Sequence, residues 1–394
     1  MKNKFYLMHL AVICVLTPAV ALVSGCGNGE NAAEKGEAAL REGKYASAAK
    51  SLEAAARKTQ PTSHFYYNLG TAKALAGDFD GAIRAFENAS NMDLANLDAI
   101  EFRAKLLADN GDLAAAHELL DRIVDEATNT ATKVRILNAQ AVVEHRLHRD
   151  DLACVRLAQV IRMDPEYAPA YYNFAHFLEE AYQLHGAALS NIAKFSEKAK
   201  ADTPVREKAE EFKALVEAAD RQAPLPPPHT TTADAMKLIR QGIDAYARSK
   251  WTLAEETFVK ALDADPESYE TASYLAATRY AARHYDAAAE AYAKAAEIAP
   301  TQFDPVFMQG HIAYSQGNAA RAIQILTGIA IPRWPDNPKS YEIAAYALAT
   351  ERRYYEARVY GAVYIELSKA AGSNVSAFEK WFDSLPQIAF AADK

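Results

Sequence analysis

The chain has 394 residues, 50% of them hydrophobic, and only 16 Gly and 16 Pro, so it can bury a continuous core but lacks the turn density of an all-β protein. Its 43 basic and 51 acidic residues give a formal charge of −8 without a basic stripe, which argues against nucleic acid as a partner. Alanine runs such as Ala54-Ala55-Ala56 and Ala287-Ala288-Ala289 favour helix.

Residues 1–25 read as a targeting segment. Lys2 and Lys4 make a positive start, and residues 5–23 are apolar apart from His9, Thr17 and Pro18. The segment ends in Leu22-Val23-Ser24-Gly25-Cys26. That ending resembles the lipobox of bacterial lipoproteins at all four of its positions. The resemblance implies cleavage between Gly25 and Cys26, a diacylglycerol on the Cys26 thiol and an acylated new amine, with no other cofactor. Two or three acyl chains, at ~0.8 kcal/mol per buried CH₂, would anchor the protein stably to a membrane. Gly27 stands where the family's inner-membrane retention signal has Asp, which implies the outer membrane, facing the periplasm. An uncleaved membrane helix is the other reading of this apolar stretch. Both readings leave the rest of the chain outside the cytoplasm. Removal of residues 1–25, with two lysines and no acid, takes the charge from −8 to −10.

Residues 26–31 form a short tether, and 32–222 read as a first array of helix pairs with a period near 34. Block 29–62 carries Gly36, Tyr45, Ala48, Leu52 and Ala55 at its eighth, seventeenth, twentieth, twenty-fourth and twenty-seventh positions. Block 63–96 repeats this as Gly70, Phe79, Ala82, Phe86 and Ala89, and block 97–130 keeps Ala116 and Leu120. The next block slips by about three residues, to 134–167, and keeps Ala141, Ala153, Leu157 and Asp164-Pro165. The fifth, from Ala168 to about Thr203, has an aromatic first helix and a degenerate turn around Leu184-His185-Gly186. Pro204–Asp220 reads as an amphipathic cap with an exposed charged run.

Ala223–Thr232 holds Pro224, Pro226, Pro227 and Pro228, which forbid helix and mark a stiff linker between arrays. In the second array, 233–394, the period is clearest. Ala235–Ser268 and Tyr269–Gln302 overlay without a gap, pairing Gly242 with Ala276, Trp251 with Tyr285, Ala254 with Ala288, Phe258 with Tyr292, Ala261 with Ala295 and Pro266 with Pro300. Small residues let two antiparallel helices approach, large ones fill the gap, and Pro stops the second helix. A small–aromatic–Ala–aromatic–Ala–Pro pattern of period 34 resembles the tetratricopeptide repeat. It implies an all-α solenoid of helix-turn-helix repeats. Phe303–Asp336 continues the array and is closed by a loop at Ile331-Pro332-Arg333-Trp334-Pro335; a last repeat begins at Pro338, departs from the pattern at Gly361, and is followed by a short capping helix over Val375–Leu385. The count is nine repeats, five before the linker and four after.

No Gly-x-Gly-x-x-Gly stretch, Walker loop, His-Glu-x-x-His or Gly-x-Ser-x-Gly appears, so the sequence offers no catalytic constellation. His145 and His148 have zinc-like spacing but fall at a turn between repeat helices, where polar residues face solvent. Of three cysteines, Cys14 lies in the targeting segment, Cys26 is the lipid site and Cys154 has no partner; its helical neighbours Ala153 and Leu157 suit a buried small hydrophobe better than a nucleophile.

The repeat resemblance places partner binding on the concave face, at positions two, five, nine, twelve and thirteen. In the second array those positions bring Ile239, Ile243, Tyr246, Tyr280, Phe307, His311, Tyr314 and Tyr346 forward. Tyr246, Tyr280 and Tyr314 recur every 34 residues, either as a ladder along a peptide groove or as filler between helices. The first array offers a more polar set, including His64, Tyr67, Glu101, Lys105 and Arg135. The leading expectation is a non-catalytic, lipid-anchored adaptor that holds envelope proteins or peptide segments, similar to repeat lipoproteins that assemble envelope complexes. A carbohydrate- or peptidoglycan-binding module would use the same aromatics, and an enzyme would need chemistry the sequence does not display.

Overall fold

A computed structural model describes residues 28–199, 204–221 and 229–387. Gly25, Cys26 and the rest of the targeting segment lie outside the described residues, as do residues 222–228 of the proline-rich stretch. All regular structure among the described residues is helical. In order these are α1 (Asn28–Arg41), α2 (Tyr45–Ala56), α3 (Ser63–Leu75), α4 (Phe79–Met92), α5 (Leu97–Asp109), α6 (Leu113–Val124), α7 (Thr130–Arg146), α8 (Asp150–Met163), α9 (Ala168–Tyr182), α10 (His185–Lys198) and α11 (Pro204–Asp220). They continue as α12 (Ala233–Ala247), α13 (Trp251–Ala264), α14 (Tyr269–Ala281), α15 (Tyr285–Ile298), α16 (Phe303–Ser315), α17 (Ala319–Ile325), α18 (Pro338–Thr350), α19 (Tyr354–Ala370) and α20 (Ser376–Asp383). The described residues divide into two compact units, one of 28–173 with 192–199 and 204–212 and one of 174–191 with 213–221 and 229–387.

Most antiparallel pairs are held by a small residue on the first helix facing a large one on the second. A Cβ added to Gly242 would stand 2.6 Å from the Phe258 ring, and one added to Gly70 would stand 2.9 Å from the Phe86 ring. Only glycine lets the backbones come that close. Gly36 with Leu52 and Gly310 with Leu326 repeat the arrangement. The cores grow around these contacts: Leu52, Phe65 and Leu69 in one cluster, Phe86, Phe102 and Leu106 in the next, and Phe258, Leu275 and Tyr292 in the second unit.

The turn between paired helices has its own rule. Gly43, Gly77, Gly111, His148, Gln183, Ser249, Arg283, Gly317 and Arg352 each have a left-handed φ, from 52° to 94°. The N–H of the following residue then reaches back into the finished helix, as from Lys44 to the Ala39 carbonyl at 2.8 Å and from Asn318 to Ala313 at 2.9 Å. This is the Schellman closure, which satisfies carbonyls that the helix end would leave bare. The second helix starts at once. Asp78, Asp112 and Asn318 cap it with a side-chain oxygen that accepts the N–H of Gly81, Ala115 and Arg321. Between repeats, the Pro165 and Pro335 carbonyls accept the hydroxyls of Tyr171 at 3.0 Å and Tyr341 at 2.8 Å.

One expectation about local structure finds its cause and two change. The phase slip near residue 134 arises because α7 runs for 17 residues, longer than the 13 of α3, α5 and α14. The left-handed residue of the fifth pair is Gln183, so Gly186 lies inside α10 and not in the turn. The stretch from Ile331 is not a loop: α17 continues through a π-helical turn, Leu326–Ala330, into a last turn, Ile331–Arg333. Pro332 has no N–H to return to the helix, and the widened turn before it lets the helix pass.

The departure at Gly361 has a steric reason. A Cβ there would meet the Phe382 ring at 2.7 Å, because α20 folds against the last repeat and seats its aromatics where a large residue of α19 would otherwise project.

Left-handed backbone costs a non-glycine residue about 1–2 kcal/mol. Arg283→Gly and Arg352→Gly should therefore each raise stability by roughly 1 kcal/mol, while Gly77→Val should lower it by a similar amount. Thermal midpoints of the three variants against wild type check this.

Candidate functional site

The inward positions of the second unit lie on the first helices of its repeats, α12, α14, α16 and α18. Ile239 is 1% exposed and belongs to the core cluster, and Ile243 packs half-buried against it. These two support the helix pair from within. Tyr246 and Tyr280 are also half-buried, and each leans on the aromatic that opens the second helix of its own repeat. The ring centroids are 5.2 Å apart for Tyr246–Trp251 and 5.6 Å for Tyr280–Tyr285, both edge-on. In the third repeat Ala319 takes the place of that second ring. Tyr314 instead stacks on Tyr346 of the next repeat, at 6.4 Å with an interplanar angle of 18°. The tyrosines thus divide by what stands at position seventeen, with two braced on turns and one reaching across repeats.

An extended aromatic surface begins beyond Tyr280. His311 sits between Tyr280 at 6.1 Å and Phe307 at 5.9 Å. Phe307 stacks on Phe303 at 5.3 Å, and Phe303 meets Trp334 edge-on at 5.6 Å. Tyr346 packs on the buried Phe378 at 5.3 Å and continues the surface to the partly exposed Trp381 at 4.3 Å, both on α20. Sequence reasoning did not select Trp334, Phe378 or Trp381, because the concave register extends neither to a repeat's final turn nor to a capping helix. It also passed over Glu342 and Tyr364, although Glu342 is the fifth residue of α18 and so one of the inward positions.

Burial sets the electrostatics of this surface. Removal from water lowers the His311 pKa, and its Nδ1 has no hydrogen-bond partner. The Glu342 carboxyl is pushed up by burial, partly offset by a hydrogen bond from the Tyr364 hydroxyl, and burial also raises the Tyr346 and Tyr364 phenols.

The inward face of the first unit is polar and internally neutralised. Glu101, 2% exposed, takes Lys105 Nζ at 2.5 Å and Arg135 at 3.2 Å, and Arg135 also pairs with Asp98. His64 stacks on Tyr67 at 6.3 Å. His145 Nδ1 lies 2.5 Å from Asp150, while His148 is the left-handed residue of its turn, so the two histidines do different work. Among the described residues no three His, Cys, Asp or Glu side chains are grouped to hold a metal ion. Cys154 is buried, and burial, with Asp150 and Asp151 adding to it, drives its thiol pKa well up, away from nucleophilic character. A cleft of about 430 Å³ opens elsewhere on the second unit, beside Arg240, Arg248, Lys250 and Asp244. Asp244 pairs with Arg248 at 2.9 Å, and the cleft's cations are exposed; the aromatic surface is the more built of the two. No helix among the described residues is long and apolar enough to cross a membrane.

Stacked antiparallel helix pairs with a left-handed turn in each and a small-to-large contact in most define a repeat scaffold for protein interaction. The tetratricopeptide repeat profile matches residues 34–91, 67–131, 239–303 and 307–374, more than half of the chain, and the protein belongs to the tetratricopeptide repeat family. Among solved structures the chain is similar to the APC/C hetero-tetramer Cut9-Hcn1, with 15% identity, a TM-score of 0.34, and coverage of 90% of this chain and 82% of that one. It is also similar to MamA of RS-1 in an ArsTM double mutant, with 16% identity, a TM-score of 0.39, and coverage of 44% and 96%. Yeast Tom70 shares 16% identity with a TM-score of 0.26 over 87% of this chain and 77% of that one. No curated protein matches the chain.

Because the folded chain resists protonating His311, the unfolded chain binds that proton first as pH falls through the ordinary histidine value of 6.5. Stability should therefore drop as pH falls below 6.5 through the depressed folded value, and His311→Gln should drop less. Urea midpoints of both proteins across that range check the sign.

Proposed function

We propose that this protein is a lipid-anchored adaptor of a bacterial envelope, without catalytic activity, whose second unit holds peptide segments of other envelope proteins. The observation that carries the binding reading is the half-buried aromatic surface of Phe307, His311, Tyr314 and Tyr346 on adjacent inward-facing helices. Aromatic rings give large contact area with few rotors to freeze, and their polar tips can take hydrogen bonds from an extended peptide. The first unit's inward ion pairs already satisfy one another, so the second unit is the better docking face.

Anchoring rests on the match of Leu22-Val23-Ser24-Gly25-Cys26 to a lipobox. With lipid on Cys26, membrane attachment needs no spanning helix. Gly27 supports the outer membrane, with the repeats facing the periplasm.

The test combines both halves. Full-length protein is expressed with an alkyne fatty acid, and its envelope partners are crosslinked and recovered. Wild type should be labelled and sediment with membranes, and Cys26→Ser should be neither labelled nor sedimented. A discrete partner should be recovered with wild type and at least about tenfold less with Phe307→Ala/Tyr314→Ala, at unchanged helical circular dichroism. Equal recovery from both would remove the groove from the proposal. Recovery of wall polysaccharide in place of protein would convert the reading to a carbohydrate-binding module.

A further inference from the structure

At the C-terminal end of the aromatic surface one carboxylate stands without a counter-charge. Glu342 is half-buried on α18, one helical turn before Tyr346 and on the same face. It accepts the Tyr364 hydroxyl and forms no ion pair among the described residues. Several other partly buried acids are paired: Glu101 with Lys105 and Arg135, Glu255 with Arg279 at 2.8 Å, Glu356 with Arg353 at 3.1 Å. The nearby Lys339 has its ammonium 5.9 Å over the Phe307 ring instead.

Around Glu342 the rings converge. Tyr314 stacks on Tyr346, Tyr346 lies 4.3 Å from Trp381, and Tyr364 lies 4.4 Å from Phe378, which is itself 4.9 Å from Trp381. Tyr314, Tyr346, Tyr364 and Trp381 all keep part of their surface in solvent. An anion partly withdrawn from water beside several partly open ring faces is short of one thing, a cation.

We propose that Glu342 with Tyr314, Tyr346, Tyr364 and Trp381 forms a cage for a lysine or arginine side chain of the partner peptide. The ring faces attract the cationic head and its stem, and Glu342 supplies the opposite charge in a setting where water screens it weakly. An overall charge of −8 favours approach of a basic partner. The inference rests on the groove reading above and gives it chemical content, since the groove would select peptides with a basic residue at this end.

The test uses the full chain in detergent, with its three tryptophans replaced by 5-fluorotryptophan, and the probe peptide acetyl-Gly-Arg-Gly-Arg-Gly-amide alongside its lysine and citrulline versions. The fluorine resonance of Trp381, assigned with Trp381→Phe, should shift with the arginine and lysine peptides. Citrulline, of the same shape without charge, should need about tenfold more peptide for the same shift. Glu342→Gln keeps the shape and can still accept from Tyr364; it should weaken the arginine peptide about tenfold at an unchanged thermal midpoint. The cage is overturned if Trp381 ignores both cationic peptides, or if Glu342→Gln binds as well as wild type. Were Trp381 silent while the crosslinked partner is still lost on Phe307→Ala/Tyr314→Ala, the cage alone would fall and the groove would stand. A charge-dependent Trp381 shift with no crosslinked partner would support the cage and sink the adaptor groove.

Discussion

Most of this structure depends on one close approach, between a small residue on the first helix of a pair and a bulky one on the second, with glycine as the small residue in four pairs. Gly70 against Phe86 and Gly242 against Phe258 set the distance between helices, and that distance sets the angle at which the next pair can lie. Aromatic and branched side chains then fill what remains, so the hydrophobic core is a chain of similar local cores strung along the sequence. Stability in such an architecture is spread over neighbouring pairs and has no single centre.

The turns follow from the same geometry. Two helices that must meet closely leave room for a very short connection, and one left-handed residue is enough to reverse the chain. Five of these sites hold residues other than glycine, among them Arg283 and Arg352, which accept a strained backbone. Tight packing within each pair tolerates that strain, and a long run of repeats can carry it because each turn affects little beyond its own pair.

The repeat was legible because it lives in residue size, and size can be read directly from sequence: the period of 34, the Gly and Ala positions and the terminating prolines all follow from it. Phase was harder. An extra helical turn in α7 moves the register without leaving any glycine or proline to mark it, and the π-turn before Pro332 lets a helix survive a residue that normally ends one. The tyrosine period was visible, yet the directions of the rings were not. Tyr246 and Tyr280 turn toward Trp251 and Tyr285, whereas Tyr314 finds Ala319 there and turns to Tyr346. Equal spacing in sequence gave unequal environments because the residue five positions further on decides each rotamer. Glu342 was overlooked for a related reason. A carboxylate on an all-α surface looks solvated until its ion-pair partners can be searched in space.

Gly361 carries a further consequence. By leaving out the bulky residue of its position it lets Phe382 in, and α20 then occupies the seat where the first helix of another repeat would pack. A single glycine therefore admits the helix that covers the last described repeat. A further helix pair grafted after Ala371 would find its docking face already taken, and so would the leading edge of a second molecule. The cap both completes a core and covers a face on which a further unit could stack end to end, a hazard for any protein built from similar, stackable parts.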